Sequence, residues 1–160
     1  MKNETEARDE FWSALKSDMT VMLALGDQPT EAQPMTAQLL DEAPQGPIYF
    51  FTSIDSHLAR DLTDTRVAFM TFADKGHNIF ATIEGSLQIH NDRAVIEALW
   101  NPFVAAWFDG KDDPKLCLLR FEAVEGQVWF DANSLMAGIK MLLGIDPKDS
   151  YKDKTAHVRL

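Results

Sequence analysis

The 160-residue sequence contains one cysteine, no long apolar run and no cluster of basic residues. A lone cysteine cannot form an internal disulfide, which predicts a reducing, cytoplasmic setting. No apolar stretch approaches the ~20 residues that a membrane-crossing helix needs, and residues 1–10 lack the features of a secretory signal. The net charge of −10 argues against a nucleic-acid partner, because phosphate binding requires a basic surface.

The common catalytic and metal-binding motifs are also missing. The sequence has no GxSxG elbow, no Walker loop, no GxGxxG and no HExxH. Its histidines are too widely spaced to predict a metal site: they are His57, His77, His90 and His157. Cys117 lies in an apolar run, which favours a buried structural thiol over a nucleophile. The acidic stretch 109–113 is interpreted as a solvated loop, since it lacks the organisation of a cation site.

Hydrophobic periodicity predicts one domain, 1–160, made of short strands with helices at its edges. We expect helices at 4–16, 57–62, 92–100 and about 133–143, and strands at 19–25, 35–40, 47–52, 66–72, 78–89, 116–130 and 155–160, with 116–130 as two halves that meet near Gly126. Gly85 marks a β-bulge. Six or more strands that do not alternate with long helices indicate a mainly β, antiparallel α+β or small-barrel fold.

The most informative segment is 48–62, where an apolar strand runs into hydroxyl residues and then into a helix. Hydroxyls and free backbone N–H groups at a helix start can bind an anion, and His57 and Arg60 would add positive charge. The alternative is a plain capped helix, in which Ser56 satisfies the unpaired N–H groups of its own helix. On local physics alone the capped helix is the simpler interpretation.

Several segments resemble, in order, those of the pyridoxamine 5′-phosphate oxidase-like family of FMN-binding split barrels. Residues 51–57 resemble its strand-to-helix phosphate segment, and 34–39 are similar to the strand that lines the isoalloxazine ring. Later pieces follow in the expected order at 67–69, 83–87, 107–114 and 128–130. The last two resemble the general stress protein 26 branch. The resemblance covers about residues 8–145.

The resemblance implies a six-stranded antiparallel Greek-key split β-barrel that forms a homodimer, with one FMN in each of two clefts between subunits. The candidate cofactor-binding residues are Met35, Thr36, Ala37, Phe51, Thr52, Ser53, Ser56, His57, Arg60, Trp129 and Lys140. By the resemblance, the first three offer backbone groups to the flavin ring, and Phe51 and Thr52 flank the ring and ribityl chain. Ser56 and His57 meet the phosphate, while Trp129 and Lys140 approach from the partner subunit.

Three positions depart from the family pattern. Leu58 follows the Ser-His pair where the family often has a cation, and Pro34 and Leu39 replace an arginine and a lysine of the oxidases. Each lost charge-assisted hydrogen bond to phosphate is worth roughly 1.5–3 kcal/mol, so Arg60 or Arg66 would have to compensate. The residues that hold the substrate phosphate of the true oxidases are not found, so pyridoxamine phosphate oxidation is not expected.

Three functional hypotheses remain open. The first is an FMN-dependent oxidoreductase that passes electrons from a reduced nicotinamide or flavin to a small molecule. The second is a non-catalytic flavin-binding or sensing stress protein, because no general acid or base is evident. The third is a degenerate barrel that acts only through its dimer surface. Trp129 could equally be a core residue, and Met35 could simply pack inward. Trp107 and Phe108, which follow the helix-breaking Asn101-Pro102, could anchor the dimer or pack ordinarily.

Overall fold

The computed structural model describes residues 3–130 and 155–160. Its helices are α1 (Glu4–Ser17), α2 (His57–Arg60), α3 (Arg93–Leu99) and α4 (Pro102–Ala105), and a short 3₁₀ helix spans Pro29–Glu31. Its strands are β1 (Thr20–Leu25), β2 (Gln33–Thr36), β3 (Gln38–Leu39), β4 (Ile48–Ser53), β5 (Arg66–Ala73), β6 (Ile79–Ile89), β7 (Leu116–Phe130) and β8 (Thr155–Arg159). The helix predicted near 133–143, together with Lys140, lies outside the described residues.

All eight strands of the described residues belong to one antiparallel sheet. The hydrogen-bonded order is β2-β1-β5-β6-β7-β4-β3, and β8 pairs with β7. The two end strands of this path are consecutive in the chain and are separated only by Ala37. The sheet therefore curls until its ends meet, which gives the nearly closed, split barrel that the family resemblance implies.

The strand count exceeds the predicted six for two reasons. The predicted strand 35–40 is divided at Ala37, whose N–H donates to the carbonyl of Met19 over 2.7 Å. After that residue the chain crosses over, because Gln38 already pairs with Tyr49 of β4. In addition, the closing segment near the C-terminus forms β8 on the edge of β7.

The central strands β6 and β7 pair along almost their whole length. β7 is continuous rather than the predicted two halves, and the irregularity lies at the predicted bulge: Glu84 faces Glu125, whereas Gly85 faces Ala123. A Cβ on Gly85 would lie 2.3 Å from the carbonyl oxygen of Glu122, so only glycine allows this approach. The bulge predicted at Gly85 is confirmed.

The main core fills the barrel with alternate residues of its strands and is closed by α1. Along β6 the odd-numbered residues from 79 to 87 are buried, as a half-buried strand requires. Asn3 caps α1 through a capping box with Glu6, and the helix presents Phe11, Trp12 and Leu15 to the core. Together with the sheet, α1 shields the interior from water.

A second, smaller core lies around β4, β7 and α3. Its buried residues are Tyr49, Ile96, Leu99, Leu116 and Leu118. Asp92 caps α3, as predicted, by accepting a hydrogen bond from the N–H of Val95 over 3.1 Å. This core carries α3 and the following α4 beside the end of β4.

Cys117 is buried in β7, as its apolar neighbours predict. Burial raises the pKa of its thiol to about 11, so the reactive thiolate is disfavoured at neutral pH. None of the helices in the described residues combines the length and apolarity that crossing a membrane demands.

Candidate functional site

A cleft of about 390 Å³ opens where β2, β3 and β4 meet α4. Its lining residues are Pro34, Met35, Thr36, Gln38, Phe51, Thr52, Ser53, Phe103, Val104, Trp107 and Phe108. Five of the candidate residues predicted from sequence are among them, from Met35 and Thr36 on one wall to Phe51, Thr52 and Ser53 on the other. The volume lies in the range of sites for small organic ligands.

The β4 wall is the half-buried end of a strand whose first half is fully buried. Phe51 packs against the second core and meets Trp100 edge to face, with ring centroids 6.2 Å apart. Thr52 lies opposite Cys117 of β7. Ser53 ends the strand and begins a turn, because its carbonyl accepts the N–H of Ser56 over 2.9 Å. An aromatic ring and two hydroxyl residues are thus held on a rigid strand.

The β2 wall is only partly as predicted. Met35 lines the cleft and also packs against the main core. Both expectations for this residue, contact with the cleft and inward packing, therefore hold for different parts of its side chain. Thr36 is exposed to the cleft. Ala37 is buried, and its N–H is already bonded to Met19. Backbone groups for a ligand are therefore more accessible at Met35 and Thr36 than at Ala37.

The third wall is α4, which the sequence analysis did not predict. The sequence Asn101-Pro102 suggests a helix break, but Asn101 caps a new helix by accepting the N–H groups of Phe103 and Val104. Asparagine as N-cap followed by proline at the first helical position is a start signal that could have revealed it. Phe103 and Trp107 lie one turn apart and are 84% and 83% exposed.

A compact loop after α4 supports this wall. Asp113 accepts the N–H of Asp109 with one carboxylate oxygen and the N–H of Lys115 with the other, both over 2.9 Å. These two hydrogen bonds lower the pKa of Asp113. Lys115 in turn accepts the N–H of Ile54 over 2.8 Å. The loop that carries Trp107 and Phe108 is thereby fixed to the turn that follows β4.

Ser56, the predicted phosphate ligand, caps α2: its Oγ accepts the N–H of Ala59 over 3.2 Å. This is the capped helix of the simpler interpretation, and Ser56 is not among the residues that line the cleft. Leu58 is fully buried in the main core. Apolar packing therefore explains why this position carries leucine rather than a cation.

His57 is bonded to side chains of its own chain. Its Nε2 contacts the carboxylate of Glu31 and lies 3.1 Å from Oε1 of Gln28 and 3.8 Å from Oδ2 of Asp61. Gln28 also donates to Asp61 over 3.0 Å. That hydrogen bond lowers the pKa of Asp61, and the positive charges nearby act in the same direction. These four side chains, Gln28, Glu31, His57 and Asp61, are called the hairpin clamp below.

The two arginines expected to compensate for Leu58 differ in their surroundings. Arg66 pairs with the carboxylate of Asp27 and donates to the carbonyl of Asp61 over 3.1 Å. The side chain of Arg60 is exposed, and no side-chain hydrogen bond or ion pair joins it to another of the described residues, although its charge helps to lower the pKa of Asp61. Arg60 is therefore the cation more available to a ligand phosphate.

Trp129 lies away from the cleft of its own chain. It borders a separate hollow of about 500 Å³ on the outer face of β1, β5, β6 and β7, together with Met22 and Phe80. The three side chains are 43%, 40% and 38% exposed. Trp129 is thus not a core residue of the described chain, and the prediction that it reaches a cofactor from a partner subunit stays a prediction.

The cleft has aromatic, apolar and neutral polar walls. Among the described residues, none of the eleven that line it carries an ionisable side chain. Within residues 3–130 and 155–160, no three His, Cys, Asp or Glu side chains are grouped closely enough to hold a metal ion. The arrangement suits a flat, partly apolar molecule with hydrogen-bonding edges, since Thr36, Gln38, Thr52 and Ser53 provide neutral polar groups.

Comparison with known proteins relates this fold to solved structures. The crystal structure of a general stress family protein from Xanthomonas campestris pv. campestris is 50% identical and superposes with a TM-score of 0.76, over 83% of this chain and 92% of that chain. The general stress FMN/FAD binding protein from Xanthomonas citri is 46% identical, with a TM-score of 0.75 over 81% of this chain and 92% of that chain.

Comparison of the sequence with known proteins points to the same group of relatives as the structural comparison. General stress protein 26 of Bacillus subtilis (strain 168) is 27% identical over 78 residues, 47% of this chain. The match spans 56% of that curated relative, just over half its length. The family model described as pyridoxamine 5′-phosphate oxidase like matches residues 6–151. The resemblance found in the sequence is therefore confirmed: the chain belongs to the pyridoxamine 5′-phosphate oxidase-like family and is related to its general stress proteins.

Proposed function

We propose that the protein is a flavoprotein that binds FMN in the cleft between β2, β4 and α4. The observation that carries the proposal is the convergence of Met35 and Thr36 with Phe51, Thr52 and Ser53 in one cleft. These residues come from the two segments that the family resemblance assigns to the flavin. Family membership and the 46% identity to a relative described as FMN/FAD binding give further support.

The walls of the cleft match the parts of FMN. Phe51, Phe103 of α4 and Trp107 just after α4 would contact the flat ring, and Thr36 and Gln38 would meet its polar edge. Thr52 and Ser53 would bind the ribityl chain and lead towards the phosphate, whose charge Arg60 would balance. Bound FMN would supply electron transfer between a reduced nicotinamide or flavin and a small acceptor.

The chain's own contribution would be binding and orientation. With neutral residues around the cleft, proton transfer from a protein side chain has no evident source among the described residues. This observation also favours the second candidate function, a flavin-binding or sensing protein without turnover. Both functions require the same site, so they differ only in whether bound flavin is reduced and reoxidised by small molecules.

We further propose a cytoplasmic homodimer in which Trp129 and Lys140 of one subunit approach the cofactor of the other. The half-exposed Met22, Phe80 and Trp129 on one sheet face support a protein contact there, since contiguous apolar surface commonly marks an interface. The buried thiol of Cys117 suits a reducing compartment. The third hypothesis is a barrel that binds no flavin and acts through this surface alone. The following test distinguishes it from a flavoprotein.

The test is an absorption spectrum of freshly purified protein, followed by titration with FMN and mass spectrometry of any released ligand. We expect a flavin spectrum, or saturable binding of added FMN. Ser53→Ala should weaken FMN binding about 2- to 10-fold, because one neutral hydrogen bond is worth roughly 0.5–1.5 kcal/mol. Ser13→Ala, an exposed serine on α1, is the matched control. Colourless protein that shows no binding of added FMN in the titration would refute flavin binding.

A turnover assay distinguishes the two candidate functions. The FMN-loaded protein is mixed with NADH or NADPH and with small electron acceptors, and nicotinamide oxidation is followed. Oxidation above that of free FMN indicates an oxidoreductase. Tight FMN binding without stimulated oxidation indicates a binding or sensing protein.

A further inference from the structure

The hairpin clamp fixes the hydrogen-bonding state of His57. Both close neighbours of its Nε2, the Glu31 carboxylate and Oε1 of Gln28, are acceptors. Gln28 has its amide nitrogen committed to Asp61, which orients its oxygen towards the imidazole. Nε2 therefore carries a proton and donates it within the chain. This atom is directed at the connection between β1 and β2 rather than left free for a ligand.

The clamp joins the segments that build opposite walls of the cleft. Glu31 lies two residues before β2, whose Pro34, Met35 and Thr36 line one wall. His57 lies four residues after Ser53, the last cleft residue of the other wall. Because β2 and β4 are not neighbours in the sheet order, a contact between Glu31 and His57 constrains their separation more directly than the strand ladder does.

We propose that His57 is a positioning residue, which sets the width of the cleft through Glu31, and that it does not itself bind the ligand phosphate. The inference rests on the proposed flavin binding and changes one role within it. His57 holds the β2 wall in register with the β4 wall, and the phosphate depends on Arg60. A direct phosphate ligand would affect only phosphorylated flavin, whereas a positioning residue affects every flavin that occupies the cleft.

The experiment compares the affinities of FMN and riboflavin, which lacks the phosphate, in His57→Ala, His57→Gln and Glu31→Ala. We expect His57→Ala to weaken both flavins by the same factor, about tenfold. Glu31→Ala should do the same, although Glu31 does not line the cleft. His57→Gln should restore most of the affinity, because its side-chain amide can still donate to Glu31. The double variant His57→Ala/Glu31→Ala should lose no more than either single variant, since the two act as one unit.

The chain offers a matched control. His157 on β8 lies 3.4 Å from Glu125 on β7, a somewhat more exposed histidine–carboxylate pair whose residues do not line the cleft. His157→Ala and Glu125→Ala should leave both affinities unchanged. Melting temperatures are measured for all variants, because a purely structural role of the clamp would lower stability without moving flavin affinity.

The outcomes are separable. Loss of FMN affinity alone in His57→Ala would show a direct phosphate contact and overturn the inference. Unchanged affinity for both flavins in Glu31→Ala would overturn it as well. A wild-type protein that binds neither flavin overturns the proposed function itself, and the positioning role with it.

Discussion

Leu58 illustrates how a single side chain alters the expected chemistry of the site. Its position immediately follows the Ser-His pair, yet it is fully buried in the main core. Replacing a cation by an apolar core residue strengthens packing and removes a charge from the start of α2. The exposed Arg60, two residues later, is the arginine of that helix.

Arg60→Ala should therefore weaken FMN binding while leaving riboflavin binding unchanged. Loss of one charge-assisted hydrogen bond to phosphate, roughly 1.5–3 kcal/mol, corresponds to about 10- to 100-fold in affinity. Flavin titration of the variant measures the effect. Arg159→Ala, which removes an exposed arginine from β8, is the control. Unaltered FMN affinity in Arg60→Ala would show that the phosphate is held elsewhere.

Sequence reasoning predicted individual residues well where one local force decides the outcome. The apolar neighbours of Cys117 sufficed to predict its burial, and close packing explains the bulge at Gly85. The environment of His57 could not be predicted, because Gln28 and Glu31 are brought to it by tertiary structure from a different loop. Contacts between residues far apart in sequence leave no trace in local periodicity.

At the scale of elements, the loop after α4 is organised by the carboxylate of Asp113, and Arg93 also holds it through the Lys111 carbonyl and Asp112. Asp113 uses its two oxygens for two backbone N–H groups, those of Asp109 and Lys115, and an asparagine has only one oxygen to replace them. Since the loop adjoins Trp107 and Phe108, its order determines the third wall of the cleft.

Asp113→Asn should lower the melting temperature at neutral pH. The hydrogen bonds from Asp109 and Lys115 depress the folded-state pKa of Asp113. Its stabilising contribution is therefore complete above the unfolded-state pKa of about 3.9 and is lost as the pH falls through the lower folded-state value. The difference in melting temperature between wild type and variant should shrink over that acidic range. Thermal melts between neutral pH and the lowest pH that retains folding measure it.

Asp64→Asn is the control for this pH dependence, because Asp64 is exposed and its carboxylate forms no hydrogen bond or ion pair within residues 3–130 and 155–160. Its melting temperature should follow that of the wild type at every pH. An Asp113→Asn variant that does so too would contradict the assigned role of the loop.

Element types were more predictable than element boundaries. The period-2 pattern of β6 and the cap at Asp92 are local signals, and both predictions are confirmed. The division of the strand at Ala37 has a non-local cause, because the residue is bonded to Met19 on one side while its successor pairs with β4. Helix α4 has a local signal in Asn101-Pro102, but an Asn-Pro pair is compatible both with the end of one helix and with the start of the next.

At the scale of the whole molecule, the outer sheet face with Met22, Phe80 and Trp129 governs the proposed assembly. These side chains are too large and too apolar to be typical of a fully solvated strand surface. The sequence suggests this surface only through family resemblance, since alternation along a strand tells which residues share a face but not what covers that face.

Phe80→Glu should therefore convert a dimer into a monomer of 18.0 kDa, with loss of FMN affinity if the partner completes the site. An unpaired charge buried in an apolar contact costs several kcal/mol. Analytical ultracentrifugation measures the mass, and Ile89→Glu, equally exposed at the opposite end of β6, is the control. A wild-type protein that sediments as a monomer at micromolar concentration would contradict the proposed dimer.

The single-residue link at Ala37 has a mechanical consequence for ligand binding. The strands on either side of it are the two free ends of a rolled-up sheet, joined there by covalent chain instead of a hydrogen-bonded ladder. A ligand bound between Thr36 and Ser53 would bridge the gap between these two ends of the sheet. Ligand binding would then stabilise the whole barrel against unfolding. A tightly bound ligand would therefore raise the melting temperature even of strands that it does not contact.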